Sequence, residues 1–218
     1  MKSAIDYAKL LIKRGLDTNH NTYDGNMKIQ KLLFFANFIS LIERQKPLFQ
    51  ESVRAFTNGC VVEEVRLRYK NDYQGLYKDS QAYSPDLDQE EYDILNLTED
   101  LFGGLTAREL SNLNHTFSFW SNALNRSMQG NGYRDKNLAC ISPEEMLAEK
   151  DKMQSVIERY RANKLERMQF ELINGVKFYY ASDFSMTDEV ISELEQFSLS
   201  AEDLAYSVYF EGESLVIY

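Results

Sequence analysis

Residues 26–44 constrain this chain more than any other segment. Ile29, Leu32, Leu33, Phe34, Phe35, Ala36, Phe38, Ile39 and Ile42 recur so densely that a helix built from them is apolar on nearly every face. A helix of that kind belongs in the middle of a fold, so the rest of the chain must supply the elements that wrap it. Its most apolar run, 32–42, is interrupted by Asn37 and Ser40. That run falls well short of the ~20 residues that cross a bilayer. A buried core helix is therefore expected, ending before Pro47.

The segments around it read as further helices. Residues 3–14 carry Ile5, Ala8, Leu11 and Ile12 on one face and end at Gly15. A polar, turn-rich stretch, LDTNHNTYDGN, follows, with His20 expected in solvent. Residues 51–57 suit a strand or an extended segment, and Asn58-Gly59 a turn. Residues 61–71 place Val61, Val65 and Tyr69 at helical spacing, and 72–87 read as a loop. Helix is expected over 88–102, stopped by Gly103-Gly104. Thr106 and Glu109 form a capping box that opens a helix through Asn112, and 116–127 continue helical. Residues 129–141 are rich in Gly and Asn and read as irregular. Ser142-Pro143-Glu144-Glu145 combines an N-cap, proline at the first helical position and a capping-box Glu, predicting a helix to about residue 163.

The period changes after Lys164. MQFELI and VKFYYA flank Asn174-Gly175, a strong two-residue hairpin signal. A helix over 187–197 and two strands around Glu211-Gly212-Glu213 complete a β-β-α-β-β order. The expected fold is α+β: a mainly helical domain of about six helices over 1–163, then a small accessory module over 164–218.

Net charge is −10, from 24 Lys and Arg against 34 Asp and Glu, which disfavours broad binding to nucleic acid or anionic membrane. The charge is polarised. Residues 1–75 carry 12 basic and 8 acidic side chains, whereas 164–218 carry 3 and 11. Such asymmetry suggests a protein partner. The two cysteines, Cys60 and Cys140, form no CxxC, and the two histidines supply no zinc-ligand spacing. Both thiols fit a reducing compartment. The start, MKSAIDYAKLLIKRG, has the spacing of an amphipathic helix rather than an apolar leader core. A soluble, cytoplasmic protein without cofactor or metal is expected. HExxH, GxxxxGK[ST] and GxSxG are absent, and Gly130-x-Gly132 is followed by Asp135 where a dinucleotide fingerprint needs glycine. The adjacent pairs Glu63-Glu64 and Glu90-Glu91 point in different directions on a helix, so no shared acid–base site is built. No positive case for an enzyme emerges.

Three ordered stretches resemble the Panacea, or SocA-like, antitoxin domain. The first, over 28–70, carries Lys31-Leu32-Leu33-Phe34-Phe35, Pro47-Leu48-Phe49, Ala55-Phe56, Gly59, Val61-Val62, Glu64-Val65 and Tyr69-Lys70. The second, LTARELSNLNHTFSFW over 105–120, is similar to the family's segment leading to His and, closely after it, Trp. The third, ISPEEMLAE over 141–149, is like the closing helix. The resemblance covers about residues 3–163. The family usually reads Gly-Pro-Val-Val-Pro-Glu-Val-Tyr at the turn. Here Cys60 and Glu63 stand for the prolines, Arg66 for the aromatic residue, and Phe119 for the proline that usually precedes Trp120.

The resemblance implies an antitoxin, with no catalytic activity of its own, that neutralises a toxin encoded beside it by direct binding. It also admits an adaptor that delivers the toxin to a Clp-type protease. A DNA-binding regulator is disfavoured by charge. A role in phage defence would follow from the toxin's trigger, and homo-oligomerisation is left open. Candidate partner-binding residues are Lys28, Lys31, Arg66 and Lys70, as basic helix faces, with His115 and Trp120. Two alternatives stand beside them: a solvated helix face for the basic residues, and core packing for Trp120 with His115 donating to a backbone carbonyl. The acidic module is expected to add specificity, with an edge strand available to a partner's sheet.

Overall fold

The computed structural model describes residues 2–128, 133–166, 168–203, 205–212 and 214–218, with the side chains of 163, 165 and 166 left aside. Gly130 and Gly132 of the glycine motif, and Glu213 of the last turn, lie outside the described residues. The chain forms two compact units, Met1–Gln154 and Ser155–Tyr218.

In the first unit, α1 (Ala4–Lys13) opens with a capping box between Ser3 and Asp6. The long helix α2 (Tyr23–Arg44) is the core. It starts three residues earlier than its apolar pattern, because the Thr22 hydroxyl accepts from the Gly25 N–H. Ile29, Leu32, Leu33, Phe34, Phe35, Ala36, Phe38 and Ile39 are fully buried. Phe34 and Phe38 meet Phe117 and Phe119 at ring separations of 5.6–6.5 Å, and Phe35 stacks on Phe102 at 4.3 Å. The two polar interruptions of the run hold the turn that follows. Asn37 Oδ1 accepts from the Leu48 N–H at 2.8 Å, and the Ser40 hydroxyl donates to the Lys46 carbonyl at 2.9 Å. They seat Pro47 beside the helix and bury Leu48 and Phe49.

Strands β1 (Val53–Phe56), β2 (Gly59–Val62) and β3 (Cys140–Ile141) form an antiparallel sheet in the order β2-β1-β3. Helix α3 (Glu63–Asn71) therefore begins two residues later than the spacing of Val61, Val65 and Tyr69 suggested. Val61 and Val62 pair with Arg54 and Val53 instead, while Val65 and Tyr69 are buried from α3. The expected loop over 72–87 contains α4 (Tyr73–Ala82). Asp72 caps it through the Gly75 N–H, and Tyr73, Leu76 and Ser80 are its buried face, a spacing masked by Gly75 and the polar residues between them. Helix α5 (Gln89–Thr98) runs into a π-turn at Glu99–Gly103. Helices α6 (Ala107–Asn114) and α7 (Ser118–Ser127) follow, with the Thr106–Glu109 capping box in place.

The helix expected from Ser142 to 163 is divided into α8 (Pro143–Leu147) and α9 (Lys150–Glu166). At the break the Glu149 N–H bonds to the Met146 carbonyl, and the Glu149 carboxylate accepts from the Phe119 N–H at 2.8 Å. Among the described residues, nine α-helices thus lie between 4 and 166 where about six were expected. The α+β class stands.

The second unit holds β4 (Gln169–Ile173), β5 (Val176–Tyr180), α10 (Asp188–Ser198), β6 (Ala205–Glu211) and β7 (Ser214–Ile217), the expected β-β-α-β-β order. Asn174 and Gly175 both take positive φ, as their hairpin requires. The sheet order is β4-β5-β6-β7. Its hairpins are antiparallel, and β5 and β6 are parallel because α10 crosses between them. Val176, Phe178, Val190, Leu194 and Val208 are its core. Phe170 and Leu172 on edge strand β4 are exposed.

Candidate partner-binding site

The turn between β1 and β2 is held from behind by buried polar side chains. Gly59 has φ +98°, and a Cβ there would lie 2.8 Å from Lys31 Cε and 2.9 Å from Asn114 Oδ1. Only glycine admits both the backbone and the approach. Lys31 Nζ donates to the Cys60 carbonyl at 2.9 Å, and the Cys60 N–H donates to Asn114 Oδ1 at 2.7 Å. Gln30 Oε1 accepts from the Val62 N–H at 2.9 Å. Asn26 Nδ2 donates to the Arg66 carbonyl at 3.1 Å. Side chains of α2 and α6 thereby satisfy the backbone of β2 and α3 where water does not reach. Burial pushes the Lys31 ammonium down to about 8 and the Cys60 thiol up to about 12, each opposed by the charge of the other.

In front of these groups lies a cavity of about 400 Å³, walled by α2, the β1–β2 turn and α3. Lys31 and Val61 line it from within, and Tyr23, Asn58, Arg66 and Lys70 stand around it. Asn58 Nδ2 donates to the Tyr23 hydroxyl at 2.7 Å. Arg66 lies over the Phe56 ring at 5.6 Å and grips Glu63 through both Nε and Nη2.

On the other side of the same turn, His115 and Trp120 stack at 3.9 Å with 23° between their planes. Trp120 Nε1 donates to the Phe56 carbonyl at 2.9 Å, and the Ser111 hydroxyl donates to the Asn58 carbonyl at 2.9 Å. Burial and the Lys31 charge hold the His115 pKa below its ordinary value, against a hydrogen bond to the Thr57 backbone. Trp120 is half-buried and His115 exposed. The pair is neither core nor free surface, but a ledge fastened to the β1–β2 turn.

Four candidates thus gather about one turn: Arg66 and Lys70 on the cavity side, His115 and Trp120 on the ledge. The expected basic face on α2 is corrected. Lys28 and Lys31 are 4% and 1% exposed, so neither stands on an outer helix face, and Lys31 reaches only the inner wall of the cavity. Lys28 Nζ donates to the Thr18 hydroxyl and to the Gly103 carbonyl, tying α2 to two loops. Glu64 is exposed on the first turn of α3. His20 is exposed at its edge but bound, its Nδ1 lying 2.8 Å from Asp17 Oδ1. Asp17 is fully buried and also accepts from the Tyr69 and Tyr73 hydroxyls.

Sequence reasoning passed over Gln30, Asn114 and Asn26. For Gln30 the signal is present, since a polar residue within a helix apolar all round must find a buried partner; Asn26 and Asn114, near helix ends, carry no such mark. Among the described residues, no group of three or more His, Cys, Asp or Glu side chains is placed to hold a metal ion, and no helix is long and apolar enough to cross a membrane.

The family model described as antitoxin SocA-like, Panacea domain, matches residues 29–121, a narrower span than the resemblance over 3–163. Neither the curated proteins nor the solved structures compared with the chain gave a match. The matched span contains most of α2, the β1–β2 turn, α3 and the His115–Trp120 ledge, and its description supports an antitoxin role. Residues 29–121 of this chain are similar to the SocA-like Panacea domain.

Proposed function

We propose that this protein is a cytoplasmic antitoxin that neutralises a toxin encoded beside it by direct, stoichiometric binding, without a catalytic step of its own. The match of residues 29–121 to the SocA-like antitoxin domain carries the reading. The surface around the β1–β2 turn supports it. Arg66, Lys70, His115 and Trp120 offer charge and a fastened aromatic pair, and Arg and Trp are residue types enriched where binding energy concentrates. Lys31 acts from behind, by holding the Cys60 carbonyl of the hairpin that presents this surface, while Lys28 ties α2 to the loops at Thr18 and Gly103. The C-terminal module carries 11 acidic against 3 basic residues over 164–218 and would steer a basic toxin, with β4 as an edge open to strand addition.

The test is co-expression with the adjacent reading frame. Growth arrest by the neighbour alone, rescue by the pair and co-elution on size exclusion are expected. Rescue accompanied by disappearance of the neighbour would favour delivery to a Clp-type protease. A harmless neighbour would defeat the pairing. Deleting 164–218 without loss of rescue would exclude the module from neutralisation.

A further inference from the structure

We propose that the cavity between α2 and α3 binds a small organic anion, a carboxylate or a phosphate ester carried on an apolar or aromatic body. The proposal does not rest on the antitoxin reading. Its volume of about 400 Å³ lies in the range of small-molecule sites, roughly 300–1,000 Å³.

The charge of its wall is one-signed. Lys31, Arg66 and Lys70 line it and, among the described residues, no carboxylate does. This occurs in a chain whose net charge is −10. Such a chain repels anions at long range, so any anion it holds must be held by local donors.

Those donors are not consumed internally. An ammonium has three N–H groups, and Lys31 gives one to the Cys60 carbonyl. Arg66 uses Nε and Nη2 on Glu63, which leaves Nη1. Glu63 is shared with Lys136 at 2.8 Å, so one carboxylate faces two cations and the wall keeps a positive excess. Lys70 is exposed and makes no ion pair among the described residues. The amides are occupied elsewhere: Gln30 and Asn26 on the β2–α3 backbone, Asn58 on Tyr23. Binding would therefore be ionic at one end. Phe56, Met27 and Val61 give an apolar stretch of the wall, flanked by Asn21, Thr22, Tyr23 and Tyr69, that suits the body of the ligand.

The full-length chain would be titrated with benzoate and with phenyl phosphate, and with benzamide and benzyl alcohol as neutral counterparts. Binding would be followed by calorimetry and by amide chemical shifts. The expected result is saturable binding of an anionic probe at millimolar concentration or below, little binding of the neutral probes, and shifts confined to residues near 21–31, 56–61 and 66–70. The tighter of the two anions identifies the head group. Lys70→Glu, on an exposed side chain, should weaken binding by about tenfold or more. Met27→Trp, which fills the cavity and leaves the cations, should abolish it.

Absence of binding by both anions, equal binding of charged and neutral probes, or indifference to both variants would overturn the proposal. So would a wild-type chain that ignores the probes while Lys70→Glu loses a co-eluting toxin, for the cavity would then receive an acidic side chain of that partner.

Discussion

Arg66 holds Glu63 in a two-point grip, Nε to Oε2 at 2.8 Å and Nη2 to Oε1 at 2.9 Å, one turn apart on α3. These are two of the positions at which the chain departs from the family pattern, where proline and an aromatic residue are usual. The exchange is physically coherent. Position 63 is the first residue of α3, a place that suits proline and also an acid near the helix N-terminus. The third departure, Cys60, supplies an N–H that a proline would lack, and Asn114 accepts it.

The Glu63 carboxyl is held down to about 2, first by Arg66 and then by Lys136. A folded-state pKa below the unfolded one contributes stability above the ordinary carboxylate range, and this is lost as pH falls from about 4.5 towards 2. Glu63→Gln should cost about 1–2 kcal/mol at pH 7, with the difference from wild type closing in acid. Lys136→Ala should cost less, because Lys136 is 61% exposed. Urea unfolding at both pH values measures each.

Gly59→Ala should destabilise the first unit by about 2–4 kcal/mol, since the new Cβ meets both strained backbone and the Lys31 and Asn114 side chains. Gly104 has open space around it and φ −75°, so Gly104→Ala should stay within about 0.5 kcal/mol of wild type. Equal effects of the two substitutions in denaturant titrations would show that the approach at Gly59 is relaxed in solution.

Lys31 makes stability rise with pH. Its folded pKa, about 8, lies below the ordinary 10.5, so between these values the unfolded chain binds more protons and deprotonation favours the fold. From pH 8 to pH 9 the gain is about 1 kcal/mol. Cys60 opposes it, because a thiol raised to about 12 keeps its proton in the fold and loses it earlier in the unfolded chain. The stability difference between wild type and Lys31→Met isolates the lysine. It should shift by about 1 kcal/mol over that interval, and a flat difference would place the ammonium in water.

The cysteines should separate chemically. Cys60 is buried with its thiol pushed up to about 12, while Cys140 is half-buried. Iodoacetamide at pH 8, followed by peptide mass spectrometry, should label Cys140 in the native chain and Cys60 only after unfolding. Early labelling of Cys60 would reveal opening of the β1–β2 turn.

Much of the fold was legible in single stretches. Ser142 with Glu145 and Thr106 with Glu109 announced their helices, and Asn174-Gly175 its hairpin, because caps and tight turns are satisfied by neighbours in sequence. The α4 helix was not legible, since its burial is decided by packing rather than by a continuous apolar stripe. The division at Ala148–Glu149 was also hidden, because Glu149 is drawn to the amide of Phe119, thirty residues earlier.

The sequence by itself determined that α2 is central, that the chain is α+β with a β-β-α-β-β tail, and that residues of the Panacea pattern are present in order. Periodicity and local capping suffice for that. Only the tertiary structure decided what the polar members of the pattern do. Lys31, Gln30 and Asn114 lie far from β2 along the chain, yet they satisfy its buried backbone groups. Lys28 and Lys31 are thereby turned from expected surface charges into internal supports. The same packing brings Arg66 and Lys70 to one side of the β1–β2 turn and His115 and Trp120 to the other. A buried donor or acceptor must be paired wherever the fold carries it, and sequence spacing does not record where that is.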